Sequence, residues 1–160
     1  MPDLPYRRNV GAALFNREGR VLIARRADLR EGATGAWQLP QGGLDEGEDP
    51  RAAVLRELFE EIGTAKAEII GELPDWLHYD LPTELIGQAL GGRYRGQMQK
   101  WFALRFTGED SEVRLDLDPH PEFDAWRWAD LAELPFIAVA FRREIYGRLA
   151  RDFASFAAPA

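Results

Sequence analysis

Residues 42–63 read GGLDEGEDPRAAVLRELFEEIG. Asp49 is a good helix N-cap, and Pro50 is tolerated at the first helical position because its missing N–H would have no intrahelical partner. Gly63 is the natural stop, since glycine enters the left-handed conformation that ends many helices. Within that helix Leu55, Leu58 and Ile62 make one apolar stripe at 3.6-residue spacing. Glu57, Glu60 and Glu61 are expected on roughly the opposite side. Like charges three and four residues apart repel on a helix, and Arg56 is the only nearby cation. A plain solvated face would interleave lysines. Several carboxylates converging beside a glycine-rich turn suit a hard divalent cation instead, with magnesium favoured and manganese or another divalent ion also admissible. Glu48, just before the helix, is placed to bind Arg56 and hold the turn against it.

The rest of the chain reads as alternating strands and helices, which predicts an α/β layered fold. Asn9–Asn16 and Arg20–Arg26 are expected strands around a turn at residues 17–19, and Asp28–Gly35 an intervening polar loop. Ala36–Pro40 is a short strand leading into the opening stretch. Ala67–Leu73, Tyr94–Phe106 and Phe123–Trp128 are further strands, with an irregular segment containing Pro74, Pro82, Gly91 and Gly92 between the first two. Ala138–Phe156 has helical spacing and predicts a C-terminal helix. No repeat or composition break divides the 160 residues, so one domain over 1–160 is expected.

Composition narrows the function. The net charge of −7 argues against a protein that coats long nucleic acid by neutralising phosphates. Positive charge is nearly all arginine, Lys66 and Lys100 being the only lysines, and arginine's planar fork suits a short anionic ligand. Cysteine is absent, excluding disulfides, thiolate chemistry and Cys-ligated zinc. No apolar run approaches the ~18 residues of a membrane span, and MPDLPYRRNV lacks the apolar core of a signal peptide. A cytoplasmic protein with no membrane association and no obligate protein partner is expected. His78 and His120 are too few for a histidine metal cluster. Trp37, Trp101, Trp126 and Trp128 lie in strand settings, where core packing is the expected role for most.

The spacing resembles the Nudix box, GX5EX7REUXEEXGU. Gly42, Glu48, Arg56, Glu57, Leu58, Glu60, Glu61 and Gly63 occupy its fixed positions, and Thr64 stands where a bulky aliphatic is usual. That resemblance implies an α/β/α sandwich with a mixed central sheet and Mg2+-dependent hydrolysis of a nucleoside diphosphate linked to another group. The likeness runs from Tyr6 to about Phe156 through NVG at 9–11, ARR at 24–26, WQLPQGG at 37–43, QKWF at 99–102 and EFDAWRW at 122–128. These flanks are similar to the branch of bacterial RNA pyrophosphohydrolases and diadenosine polyphosphate hydrolases. Arg8 departs from it, standing where the bacterial RNA enzymes often have proline. The 28–35 loop is longer than in compact members, and the basic tail that some RNA enzymes carry is missing.

Carried over residue by residue, the resemblance implies Glu57, Glu60 and Glu61 as metal ligands. Gly42 would add a backbone carbonyl and Glu122 a distal carboxylate. Glu57 is the expected base toward the attacking water, with Arg56 and Glu48 supporting it. Arg7 and Arg26 are candidates for a 5′ polyphosphate and Phe141 for stacking on a base, with Lys100, Gln99 and Tyr79 as further binding candidates. The implied substrate is 5′-triphosphorylated RNA or, alternatively, a dinucleoside polyphosphate of the Ap4A or Ap5A type. A non-catalytic Nudix binding module and a hydrolase of oxidised nucleotides or ADP-ribose are the remaining readings.

Overall fold

The computed structural model describes residues 4–29, 32–33 and 35–159. Arg30, Glu31 and Thr34 of the expected 28–35 loop, and the first three residues of the N-terminus, lie outside them.

Two long strands form the spine. β1 (Tyr6–Phe15) and β7 (Gly96–Phe106) run parallel, in register from Tyr6 opposite Gly96 to Phe15 opposite Arg105. Every other pairing among the described residues is antiparallel, so the eight-stranded sheet is mixed. β2 (Val21–Arg26) follows β1 through a tight turn and carries β3 (Trp37–Gln38) and β8 (Phe123–Ala129). β4 (Gln41–Gly43) lies on β1 at Asn9–Gly11. β5 (Ala67–Glu72) and β6 (Leu77–Asp80) both pair with β7.

Side chains alternate across the spine, as a strand requires. Val10, Ala12 and Leu14 with Phe102 and Leu104 face one way, packing on Val54, Leu58 and Ile62 of α1 (Pro50–Ile62). Ala13, Phe15, Trp101 and Ala103 face the other way, against Ile145, Tyr146 and Leu149 of α3 (Arg143–Asp152). Helices therefore cover both faces of the sheet, and the expected α/β/α sandwich is present. Gly11 is required at the spine, because a Cβ there would overlap the Trp101 ring. No helix among the described residues is long and apolar enough to cross a membrane.

α1 starts and stops as its sequence dictates. Asp49 accepts a hydrogen bond from the Ala52 N–H at 3.4 Å, and Gly63 closes the helix at φ 78° with its N–H donated to the Phe59 carbonyl. A side chain at Gly63 would also crowd Arg114 at 2.6 Å.

Three expectations need correction. β6 occupies part of the segment expected to be irregular; four residues between Pro74 and Pro82 are too short for an alternation pattern to stand out. The C-terminal helix is not continuous over 138–156. A short α2 (Leu134–Ile137) is followed by extended backbone at Ala138 and Val139 and a 3₁₀ turn at Ala140–Arg142, and α3 ends at Asp152. The buried Tyr146 hydroxyl of α3 accepts the Leu39 N–H at 3.0 Å, which ties α3 to the end of β3. Finally, Glu61 is not opposite the apolar stripe. It is buried with Val54, Leu58 and Ile62, while Leu55 is only half-buried and Phe59 is exposed.

Candidate active site

Gly42 and Gly43 let α1 and β1 approach from two sides. A Cβ on Gly42 would overlap the Glu57 carboxylate, and one on Gly43 would overlap the Arg7 guanidinium. A side chain at either position would displace the charged group that now lies against it. They edge a cavity of about 530 Å3 into which Glu57, Glu61, Glu122, Arg7, Arg26 and Arg142 project.

Arg56 organises the carboxylate end. Its Nε and one terminal nitrogen donate to the two oxygens of Glu48 at 2.7 and 2.8 Å, a bidentate pair. The same terminal nitrogen donates to the Gly43 carbonyl at 3.0 Å. The other terminal nitrogen donates to Glu57 at 2.9 Å and to Glu60 at 3.2 Å. One guanidinium thus ties the turn before the helix to two of its glutamates. Glu48 also accepts the Asp45 N–H at 3.0 Å. The Arg56 hydrogen bond, then the Asp45 N–H, hold its carboxyl down to about 2.

Glu61 is the anomaly. Its side chain is buried, the residue being 7% exposed, and Oε2 has no hydrogen-bond partner. Burial, then the Glu122 and Glu57 charges, push its carboxyl well above the usual range. Burial also raises Glu57, against the opposing pull of Arg56. A buried carboxylate without a cation is costly. Glu57, Glu61 and Glu122 border one cavity, with one Glu61 oxygen unsatisfied, and carboxylate oxygens are the donors a hard divalent ion takes. As the side chains stand, no group of three or more acidic or histidine residues among the described residues is arranged to hold a metal ion. Glu60 accounts for part of this: its side chain is half exposed and held by Arg56 outside the cavity.

The cationic end is built from three arginines. Arg7 lies against Gly43. Arg26 at the rim is paired with Asp28. Arg142, which sequence reasoning missed, donates to Gln38 at 2.8 Å and to the Tyr79 hydroxyl at 3.3 Å, leaving its buried Nε without a partner. Its only sequence signal was membership of the Arg142-Arg143 pair at the foot of the last helix. Phe141 and Tyr79 pack with ring centroids 5.2 Å apart and both line the cavity.

Two expected binding residues are elsewhere. Lys100 is on the α1 face of β7, turned from the cavity; its Nζ donates to the Leu73 carbonyl at 2.6 Å and pairs with Glu72 at 3.1 Å. Strand alternation put it on the wrong side for phosphate. Gln99 is buried behind the cavity floor. Its amide N–H groups go to Asn9 at 3.0 Å and Gln41 at 2.6 Å, and its carbonyl accepts the Trp101 N–H at 3.2 Å. None of Trp37, Trp101, Trp126 and Trp128 lines the cavity. Trp101 is buried edge-on to Tyr146, Trp126 packs edge-on to Trp128, and Arg127 covers Trp37. His78 and His120 are exposed. Thr64 is buried, and its hydroxyl accepts the Lys66 N–H at 3.1 Å.

A carboxylate cluster at a glycine turn, opposed by arginines on an α/β/α sandwich, defines a class, and residues 5–149 match the family described as NUDIX domain. The chain belongs to that family. It is 65% identical to an RNA pyrophosphohydrolase of Gluconacetobacter diazotrophicus, with 99% of this chain and 97% of that one covered. It is 62% identical to an RNA pyrophosphohydrolase of Acidiphilium cryptum, covering 96% and 93%. Among solved structures, the MutT protein of Methanosarcina mazei Go1 superposes with a TM-score of 0.67 over 95% of this chain and 98% of that one, at 22% identity, a likeness of fold.

Proposed function

We propose that this protein is a divalent-cation-dependent RNA pyrophosphohydrolase, a single Nudix domain that converts 5′-triphosphorylated RNA to 5′-monophosphorylated RNA. The observation that carries the reading is Glu61, buried with an unpartnered oxygen beside Glu57 and Glu122 in the cavity that also holds Arg7 and Arg142. The high identity to two proteins named RNA pyrophosphohydrolase supports RNA as the substrate. Glu57, Glu61 and Glu122 would hold the metal, taken here as Mg2+, with Glu60 joining on release from Arg56 and Gly42 offering its carbonyl. When bound, such an ion neutralises phosphate charge and lowers the pKa of water.

The chain's own groups do the rest. Arg7 and Arg142 neutralise and orient the polyphosphate, since a guanidinium fork matches phosphate oxygens. Arg26 can join them by exchanging Asp28 for phosphate. Phe141 stacks on a base next to the polyphosphate. Glu57 accepts the proton of the attacking water as its oxygen bonds to phosphorus, while the anhydride bond between the α- and β-phosphates breaks and its bridging oxygen leaves with the electron pair, giving 5′-monophosphorylated RNA and pyrophosphate. Arg56 and Glu48 keep Glu57 in place without touching the substrate. A transcript 5′ end as substrate supports a cytoplasmic protein.

Side-by-side kcat/KM on 5′-triphosphorylated RNA and on Ap4A, with products identified, tests this. Higher kcat/KM on RNA, with a 5′-monophosphorylated product, is expected. Preference for Ap4A would replace the RNA reading with the dinucleoside polyphosphate one.

A further inference from the structure

Gln97 lies on the same face of β7 as Gln99 two residues on, but its side-chain oxygen, Oε1, is left without a partner. The residue is 4% exposed and lines the cavity. Buried polar side chains are nearly always hydrogen-bonded, so an unpaired one bordering a cavity points to a ligand. Its amide can turn to present either a carbonyl or an N–H.

Beside it, Leu85, Ala89 and Leu90 from the segment between β6 and β7 present apolar side chains to the same cavity. Leu90 has φ 54° and ψ 38°, and it is the only non-glycine with positive φ among the described residues. Gly91 and Gly92 follow at φ 71° and 73°. A left-handed run of this kind favours glycine at every position. A leucine kept at the first of them, despite the strain, points to a use for its side chain.

We propose that Leu90 and Gln97 form a nucleobase subsite, in which Leu90 packs on the face of a base and Gln97 hydrogen-bonds its edge. An apolar wall with one unpartnered amide oxygen, in the cavity that also holds Arg7 and Arg142, matches a flat heterocycle carrying N–H and C=O groups and linked to a polyphosphate. This rests on the reading above only in taking the arginines as the polyphosphate cradle.

The test compares two probes, ATP and inorganic tripolyphosphate, which shares the phosphates and lacks the nucleoside. Binding is measured calorimetrically with Ca2+, an oxygen-seeking cation of looser geometry than Mg2+. The variants are Gln97→Met, which keeps the length and removes the amide, and Leu90→Gly, which keeps the left-handed backbone and removes the side chain. ATP should bind the wild type more tightly than tripolyphosphate. Gln97→Met should weaken ATP roughly tenfold, the size of one lost hydrogen bond. Leu90→Gly should weaken it roughly fivefold through lost apolar contact, with tripolyphosphate unchanged in both. Equal binding of the two probes by the wild type overturns the subsite. So does parallel weakening of both probes in the variants, or no weakening of either. Failure of the RNA reading shows separately, as wild-type protein that leaves 5′-triphosphorylated RNA uncleaved while the difference between the probes persists.

Discussion

The Arg56 network at the carboxylate end of the cavity is closed and leaves one Glu61 oxygen open, the size of opening a small ion needs, whereas the end formed by β7, residues 81–95 and Arg142 leaves more bonding capacity open. At the first, Arg56 serves Glu48, Glu57, Glu60 and the Gly43 carbonyl together, and Gly42 seats the Glu57 carboxylate. At the second, Gln97 and Arg142 each keep a buried polar atom without a partner, and Leu90 holds a strained backbone. The difference separates two tasks. A site for a small ion needs its carboxylates fixed beforehand, while a site for a larger organic ligand keeps donors and acceptors in reserve.

Changes at the closed end should therefore cost turnover, and changes at the open end should cost binding. The largest effect is expected for Glu57→Gln. An amide accepts no proton and is a poor magnesium ligand, so kcat should fall by roughly a thousandfold, within the range for a lost general base, with the melting temperature nearly unchanged. A kcat within a few-fold of wild type would remove Glu57 from the chemistry.

A moderate effect is expected for Phe141→Ala, in the wall of the cavity. Stacking on a base is worth about 1–3 kcal/mol, so KM for RNA should rise several-fold or more while kcat holds. Because Phe141 also packs on Tyr79, its melting curve is needed; a large drop in melting temperature with unchanged KM would make it a packing residue only.

The smallest effect is a matter of pH. The Glu48 carboxyl is held down to about 2 by Arg56. A depressed carboxyl contributes stability that is present above its unfolded value and lost as pH falls through the folded one. Melting temperatures of wild type and Glu48→Gln should therefore differ most at neutral pH and converge as pH drops from about 4.5 towards 2. A constant offset over that range would show that the charge on Glu48 contributes nothing.

The two ends also differed in how far the sequence revealed them. The turn, the caps at Asp49 and Gly63, and the Arg56–Glu48 pair are short-range features, carried by residue types at fixed spacing. The burial of Glu61 was not legible, because an acid read on helical periodicity is assigned to solvent. At the open end, Gln97 and Arg142 gave no comparable signal. A strand glutamine looks like ordinary alternation, and the break at Ala138–Val139 before Phe141 and Arg142 interrupts a stretch whose spacing reads as helical. Rarity was a poor guide as well: Lys100 stood out as one of two lysines, yet its strand position turns it to the other face.

The central claim is that Arg56 presets the carboxylate end by its geometry as well as its charge. The direct measurement is a Mg2+ titration of turnover for wild type and Arg56→Lys at matched protein concentration. Lysine keeps the charge but cannot make the bidentate pair with Glu48 while reaching Gly43 and Glu57. The expected result is a folded variant whose half-saturation shifts to higher Mg2+, with lower turnover partly recovered as Mg2+ rises. Superimposable curves would contradict it, leaving Arg56 as a counter-charge that any cation could replace.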